Sequence, residues 1–172
     1  EQLAEAPLAQ QEPALVARII QRSNELQQSV TEMLERGQRR HLERNALLSS
    51  LYQSQSYLRH LQDINRRYDS NVPDAQQLME MDRLIAAAID TPSPRATVQQ
   101  LDAVAAALPR SAVQPVVKGV LPDFNAELGK LAPLSKQLEE SDLAISWYMF
   151  HIKALVAILN SDINQYVGQV VN

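Results

Sequence analysis

No proline interrupts residues 14–68, and this stretch restricts the fold more than any other feature of the sequence. Its apolar residues recur at close to the 3.5-residue spacing of a seam between packed helices. They are Val16, Ile19, Leu26, Val30, Met33, Leu47, Leu51, Leu58, Leu61 and Tyr68. The spacing predicts a long first helix that can lie side by side with another long helix.

The seam is interrupted between Leu34 and Ala46, where the charged sequence ERGQRRHLERNA surrounds Gly37. Glycine after Glu-Arg is a plausible helix end, because it accepts the left-handed conformation that closes a helix. A glycine inside a helix costs only about 1 kcal/mol relative to alanine, so it does not end the helix by itself. Because no other turn residue accompanies Gly37, we favour one continuous helix.

In the second half of the chain, prolines set the expected helix boundaries, since proline is tolerated in the first turn of a helix. We predict helices over 74–89 and 94–108, separated by the segment TPSP, in which Ser93 and Pro94 cap the second of them. Further prolines predict short helical pieces over 109–133, and a last long helix follows over 134–167. The prolines of that middle region are Pro109, Pro115, Pro122 and Pro133.

Composition favours an all-α class. The chain has only four glycines and two phenylalanines, whereas β-rich folds need glycine turns and aromatic runs. Residues 143–159 are apolar on nearly every face, so we expect this helix to be central and surrounded by the others. The prediction is an elongated antiparallel bundle of four to six helices, with long first and last helices and short proline-bounded helices between. It forms one domain over 14–172, after a flexible lead-in over 1–13.

A basic cluster coincides with the interruption of the seam. On a continuous helix Arg36, Arg40 and Arg44 share one face, which could hold a phosphate, a carboxylate ligand or an anionic lipid surface. The alternative is a solvated face, on which neighbouring glutamates form ordinary helix-surface pairs with these arginines.

Polar groups within the most apolar segment form a second candidate. His151 and Lys153 could anchor a ligand, with Trp147 as part of a pocket wall, or they could lie on the flanks of the helix and reach solvent. Being two residues apart, His151 and Lys153 cannot face the same wall. The full candidate ligand-binding set is Arg36, Arg40, Arg44, Trp147, His151 and Lys153.

The sequence contains no motif for catalysis, a metal or a cofactor. There is no cysteine, no nucleophile elbow and no glycine-rich phosphate loop. His41, His60 and His151 form no pair at helical spacing. The net charge is −4 and no element carries a strong basic excess, which argues against nucleic acid as a partner. We therefore expect a non-enzymatic protein without metal or cofactor.

The chain begins Glu1-Gln2-Leu3 without an initiator methionine, as expected of a processed or excised form. We do not read residues 143–159 as a membrane span, because the segment is short and contains His151 and Lys153. Our leading hypothesis is an extracytoplasmic helical bundle, of the kind found in bacterial lipoproteins, tethered to a membrane. It acts through a protein partner, self-association of helix faces or a membrane surface.

Two alternative functions remain open. The first is the ligand-binding sensor domain of a bacterial membrane receptor, such as a chemoreceptor or sensor kinase, that recognises a small anion. We rank it second because Pro7 and Pro13 interrupt the route of the first helix from a preceding span. The other is a cytoplasmic helical adaptor that pairs through the seam of the first helix.

Overall fold

The computed structural model describes residues 2–68, 75–108 and 115–171, with side chains described over 13–67, 75–108 and 119–171. These residues form four α-helices and no strand. The helices are α1 (Gln2–Tyr68), α2 (Ala75–Asp90), α3 (Arg95–Ala106) and α4 (Pro115–Val171). The predicted all-α class is confirmed, with long first and last helices and shorter helices between them.

Helix α1 continues through Gly37, as the sequence analysis favoured. It is helical from Gln2, so the lead-in predicted over 1–13 lies within its bounds, and the flexibility of that lead-in stays a prediction. No neighbouring atom lies within 4 Å of the position that a Cβ at Gly37 would occupy. The glycine is therefore not required for close packing within the described structure.

We expect Gly37→Ala to raise the free energy of unfolding by about 0.5–1 kcal/mol, since alanine loses less backbone entropy in a helix. Urea unfolding followed by circular dichroism measures the change. Gly37→Pro is the opposite control, because it removes a helix hydrogen bond and is expected to destabilise by about 3 kcal/mol. A Gly37→Ala protein less stable than the wild type would contradict the continuous helix.

The prediction of short helical pieces is wrong over 115–133, while its part over 109–114 lies outside the described residues. Helix α4 is continuous from Pro115 and contains Pro122 and Pro133 in its interior. An interior proline costs about 3 kcal/mol, whereas each large apolar side chain that becomes buried contributes about 1.5–3 kcal/mol. Phe124, Leu128 and Leu131, between the two prolines, are all buried, and both prolines lie on the exposed side. Tertiary burial therefore outweighs the local preference.

Helices α2 and α3 lie close to their predicted ranges, but the side-chain cap predicted at Ser93 is not formed. The N-cap residue of α3 is Pro94, without a side-chain cap hydrogen bond. The Ser93 backbone N–H donates to Thr91 Oγ1 at 3.3 Å. The first helical bond of α3 runs from the Val98 N–H to the Pro94 carbonyl at 2.9 Å.

The chain divides into two compact units. The core unit comprises Arg40–Ser141 and contains α2, α3 and the adjoining parts of α1 and α4. All four helices contribute fully buried side chains to its apolar cluster: Leu51, Leu58, Leu61, Leu78, Met81, Ile85, Val98, Leu101, Phe124, Leu131 and Leu138. The prediction of one domain over 14–172 stays a prediction, because both units share the same two continuous helices.

The second unit, which we call the two-helix unit, comprises Glu1–Arg39 and Asp142–Asn172. Its described parts are the first half of α1 and the second half of α4. Arg18 contacts Asp162 at 3.2 Å, and Glu32 accepts a hydrogen bond from Tyr148 at 3.0 Å. Residue numbers rise along α1 as they fall along α4, so the two helices are antiparallel within this unit.

The expectation that residues 143–159 form a surrounded, central helix is wrong. The described residues of the two-helix unit offer only α1 as a neighbour, because α2 and α3 belong to the core unit. Leu143, Trp147 and Phe150 are 64%, 58% and 76% exposed. A helix that is apolar on every face becomes buried only where enough neighbouring helices cover it.

Candidate interaction surfaces of the two-helix unit

In the structure, the seam between α1 and α4 follows the alternating four- and three-residue steps of a coiled coil, and the predicted members Val16 and Val30 each lie one residue beyond it. Every seam position is buried or half-buried. On α1 these positions are Leu15, Ile19, Arg22, Leu26, Ser29, Met33 and Arg36; on α4 they are Ile145, Tyr148, Ile152, Leu155, Leu159, Asp162 and Tyr166. The seam is thus an apolar stripe interrupted by polar residues, of which Asp162 and Tyr148 form contacts between the two helices.

Asp162 forms the first polar level. Its carboxylate is 3.2 Å from Arg18 Nη2 and 3.1 Å from Arg22 Nε, and its side chain is only 10% exposed. The Arg22 Nε and Asp162 Oδ2 atoms are buried and form an ion pair without hydrogen-bond geometry. Two cations thus compensate one carboxylate that has little access to water.

Tyr148 forms the second polar level. Its hydroxyl donates to Glu32 Oε2 at 3.0 Å. The pKa of Tyr148 is raised above its ordinary value of 10.0, first by this hydrogen bond, then by burial and by the negative charge of Glu32, with Arg36 acting in the opposite direction. The hydrogen bond therefore stabilises the fold below pH 10, and this contribution is lost as the pH rises through the raised pKa.

We expect Tyr148 to ionise later than a free tyrosine. The tyrosinate absorbance is measured against pH for the wild type and for Tyr148→Phe, and the difference between the two curves isolates Tyr148. The midpoint of the difference curve should lie above pH 10, because the neutral hydroxyl is the donor to Glu32. Glu32→Gln is the control, and it should move the midpoint downward. A difference curve with a midpoint at or below 10 would contradict the hydrogen bond.

The arginine cluster is divided between the two units. Arg36 belongs to the two-helix unit, where its charge acts on Tyr148. Arg40 and Arg44 belong to the core unit, and Arg44 Nη1 donates to the Thr91 carbonyl at 3.5 Å. All three are half-buried. Binding of an anion by this cluster stays a prediction.

The other candidate residues lie at the surface of the two-helix unit. The Trp147 and His151 rings stack with centroids 4.8 Å apart and planes 14° apart. Trp147 is 58% exposed and Lys153 is also exposed, as expected if these groups lie on the flanks of the helix. The clefts described in either unit are lined by other residues. One example, in the core unit, is an open cleft of about 550 Å³ that includes Tyr57, His60, Asp63 and Asp123.

Two apolar surfaces of α4 remain uncovered within the described two-helix unit. The first, which we call the outer patch, consists of Leu143, Trp147 and Phe150, at positions on the side of α4 away from the seam. The second is a flank with one member every seven residues. Its members are Met149, Val156, Ile163 and Val170, which are 50%, 39%, 40% and 55% exposed. This flank was not predicted, although its spacing of seven residues is visible in the sequence.

Helix α4 also contains an 18-residue window apolar enough to cross a membrane, of which only 6% is buried. Among the described residues, no group of three or more histidines or carboxylates has the arrangement of a metal site. Comparisons with protein-family models, curated proteins and solved structures found no significant match to this chain.

Proposed function

We propose that this protein is a non-enzymatic, extracytoplasmic interaction module that docks an apolar helix of a partner protein on its outer patch. The observation that carries the proposal is the exposure of Leu143, Trp147 and Phe150 on a helix with only one described neighbour in its unit. The docked helix would take the place of a further bundle helix against α4.

The size of the outer patch supports a role in binding. Trp147 and Phe150 are 58% and 76% exposed, and aromatic side chains of about 150–250 Å² then offer roughly 250–300 Å² between them. Leu143 extends this area by one helical turn. Contiguous apolar patches of a few hundred Å² mark interaction sites on soluble proteins, and tryptophan is among the residues enriched at binding hot spots.

Charge favours a protein helix over a lipid surface as the occupant. Helices that lie on membranes carry several basic residues beside their apolar face. From residue 137 onward α4 carries Lys153 as its only lysine or arginine, against Glu139, Glu140, Asp142 and Asp162. An anionic bilayer would attract this half of α4 weakly.

The packing of α1 also opposes a membrane crossing by this half of α4. Arg18, Glu32 and Asp162 are held in contacts between the two helices. Each ionised side chain carried to the bilayer centre costs about 2.5–3.5 kcal/mol, so crossing would either bury these charges or separate α4 from α1.

The proposed extracytoplasmic location and the proposed non-enzymatic role rest on the sequence. The lack of cysteine is compatible with an extracytoplasmic protein, and the lack of catalytic motifs supports a binding role. A membrane tether and membership of the bacterial lipoproteins are part of the same proposal. Fractionation of the native host, with immunoblotting of periplasmic, membrane and cytoplasmic fractions, tests the compartment, and recovery only in the cytoplasm would exclude it.

Site-specific photocrosslinking in the native host tests the docking surface. A photoreactive phenylalanine analogue at position 150 should give one defined adduct with a second, identifiable protein. The matched control is the same analogue at Met79, which is 68% exposed but lies on α2 of the core unit. Leu143→Glu should abolish the adduct at position 150. Crosslinking to lipid alone, or equal adducts at both positions, would overturn the proposal.

A sensor domain that binds a small anion is the second candidate function, and one observation favours it. Helix α1 passes Pro7 and Pro13 without a break, so the prolines that placed this hypothesis second do not interrupt the helix. A thermal-shift screen with phosphate, acetate and citrate tests it. Stabilisation that is lost in Arg36→Ala would favour the sensor, and the absence of any shift would remove it.

A further inference from the structure

One flank of the two-helix unit is uncharged from Met149 to Val170 on α4, and Asp142, seven residues before Met149, ends the uncharged stretch. On α4 it consists of Met149, Val156, Ile163 and Val170. A two-stranded coiled coil needs apolar residues at only two of seven positions, whereas a helix that packs in a larger bundle needs a third. The additional stripe on α4 thus has the pattern of a helix with more neighbours than α1 alone.

Helix α1 has a matching flank, and the two flanks together form a groove. The members of the α4 flank each follow a seam position by one residue. The residues that follow seam positions in the same way on α1 are Val16, Ser23, Val30 and Gly37. In an antiparallel pair, equivalent flanks of the two helices lie on the same side of the seam. Three of these four residues are half-buried. Together, the eight positions define a groove without a charged residue, which we call the apolar groove.

The opposite flank of α1 is charged. Its positions are occupied by Arg18, Glu25, Glu32 and Arg39. Two of them contact α4 from that side, through the Arg18–Asp162 ion pair and the Tyr148–Glu32 hydrogen bond. On α1 the charges beside the seam thus lie on the side away from the apolar groove, whereas on α4 Lys153 borders the groove and Asp142 ends it.

We propose that the apolar groove binds a second copy of this chain, so that two two-helix units form one four-helix bundle. The occupant must be apolar over the stretch from Met149 to Val170, which is about 32 Å long at 1.5 Å per residue. The two-helix unit has that length, an equally uncharged groove and a charged opposite flank. The interface is then isologous, with the same surface contributed by each copy.

The area is sufficient for a stable dimer. A groove about 32 Å long across two helices, each about 10 Å wide, covers roughly 640 Å² on each copy. Stable interfaces bury about 600–1,000 Å² per partner, and the groove lies within that range. The apolar groove is separate from the outer patch, so dimerisation and docking of another protein are independent and can fail separately.

Sedimentation equilibrium of the full chain over a dilution series tests the dimer. The wild type should have twice the monomer mass of 19.3 kDa. Val156→Glu with Ile163→Glu should weaken the dimer roughly 100-fold or more, since each copy would bury unpaired carboxylates. Leu143→Glu, on the outer patch, is the matched control and should leave the dimer unchanged. Circular dichroism checks that each variant keeps its helices.

If the double glutamate variant loses its helices, Val156→Thr with Ile163→Thr introduces hydroxyls without charge and removes only one carbon, at position 163. It should weaken the dimer roughly tenfold or more. A monomeric wild type at every concentration would overturn the proposal. A folded variant, of either kind, that dimerises as strongly as the wild type would overturn it as well. Loss of the dimer in Leu143→Glu would assign self-association to the outer patch and reject the apolar groove.

Discussion

Phe124→Ala is expected to lower the free energy of unfolding by about 3–5 kcal/mol, because truncation of a buried phenylalanine loses its transfer free energy and leaves a cavity. Phe124 is 0% exposed and belongs to the apolar cluster formed by all four helices of the core unit. It also lies between Pro122 and Pro133, where burial offsets the cost of two prolines within α4. The loss is a large fraction of the about 5–15 kcal/mol that stabilises an ordinary domain.

Urea unfolding with two probes measures this effect. Circular dichroism follows all four helices, whereas the fluorescence of Trp147, the only tryptophan, follows the two-helix unit. Coincident shifts of both transitions would show that the units unfold together. Met79→Ala is the control, since Met79 is 68% exposed and its loss should change stability by about 0.5 kcal/mol or less. An equally small effect of Phe124→Ala would contradict the described core.

Asp162→Ala is expected to destabilise the two-helix unit by about 1–3 kcal/mol, since it leaves charged donors without their acceptor. Arg22 retains a buried Nε atom, whereas Arg18, with a side chain 47% exposed, can turn toward solvent. Because Arg18 has partial access to water, we expect Asp162→Ala to destabilise less than the loss of one partner from a fully buried ion pair, which costs about 3–5 kcal/mol.

A second variant separates loss of the ion pair from loss of packing. Arg22→Leu combined with Asp162→Leu places apolar side chains at both seam positions, and it should restore or exceed wild-type stability because no charge is left buried. Trp147 fluorescence during urea unfolding reports on this unit. Equal stability of Asp162→Ala and the wild type would mean that the carboxylate is not a partner of Arg18 and Arg22.

Much of the secondary structure followed from sequence patterns. The long first helix was predictable from the spacing of its apolar residues. Gly37 does not end it, since the cost of one glycine is small against the cooperativity of a long helix. The same local reasoning failed at Pro122 and Pro133. There the sequence shows the local cost of the prolines but not the burial of Phe124 and Leu131, which depends on residues distant in sequence.

The candidate surfaces were predictable in part. The sequence drew attention to Trp147, His151 and Lys153 within an unusually apolar segment, but it placed that segment at the centre of the bundle. The structure places Trp147 and Phe150 at the surface instead. Apolar periodicity records which side chains a helix can bury, not how many neighbouring helices are available to bury them.

The all-α class and the long first and last helices follow from the sequence, because helix propensity and seam spacing act over a few turns of the chain. The tertiary structure was needed to show that α2 and α3 lie in the core unit, and that α1 is the one described helix beside the second half of α4 within the two-helix unit. Which helices pack together depends on the total area that all of them bury, and no single stretch of sequence contains that information. This packing leaves the outer patch and the apolar groove uncovered.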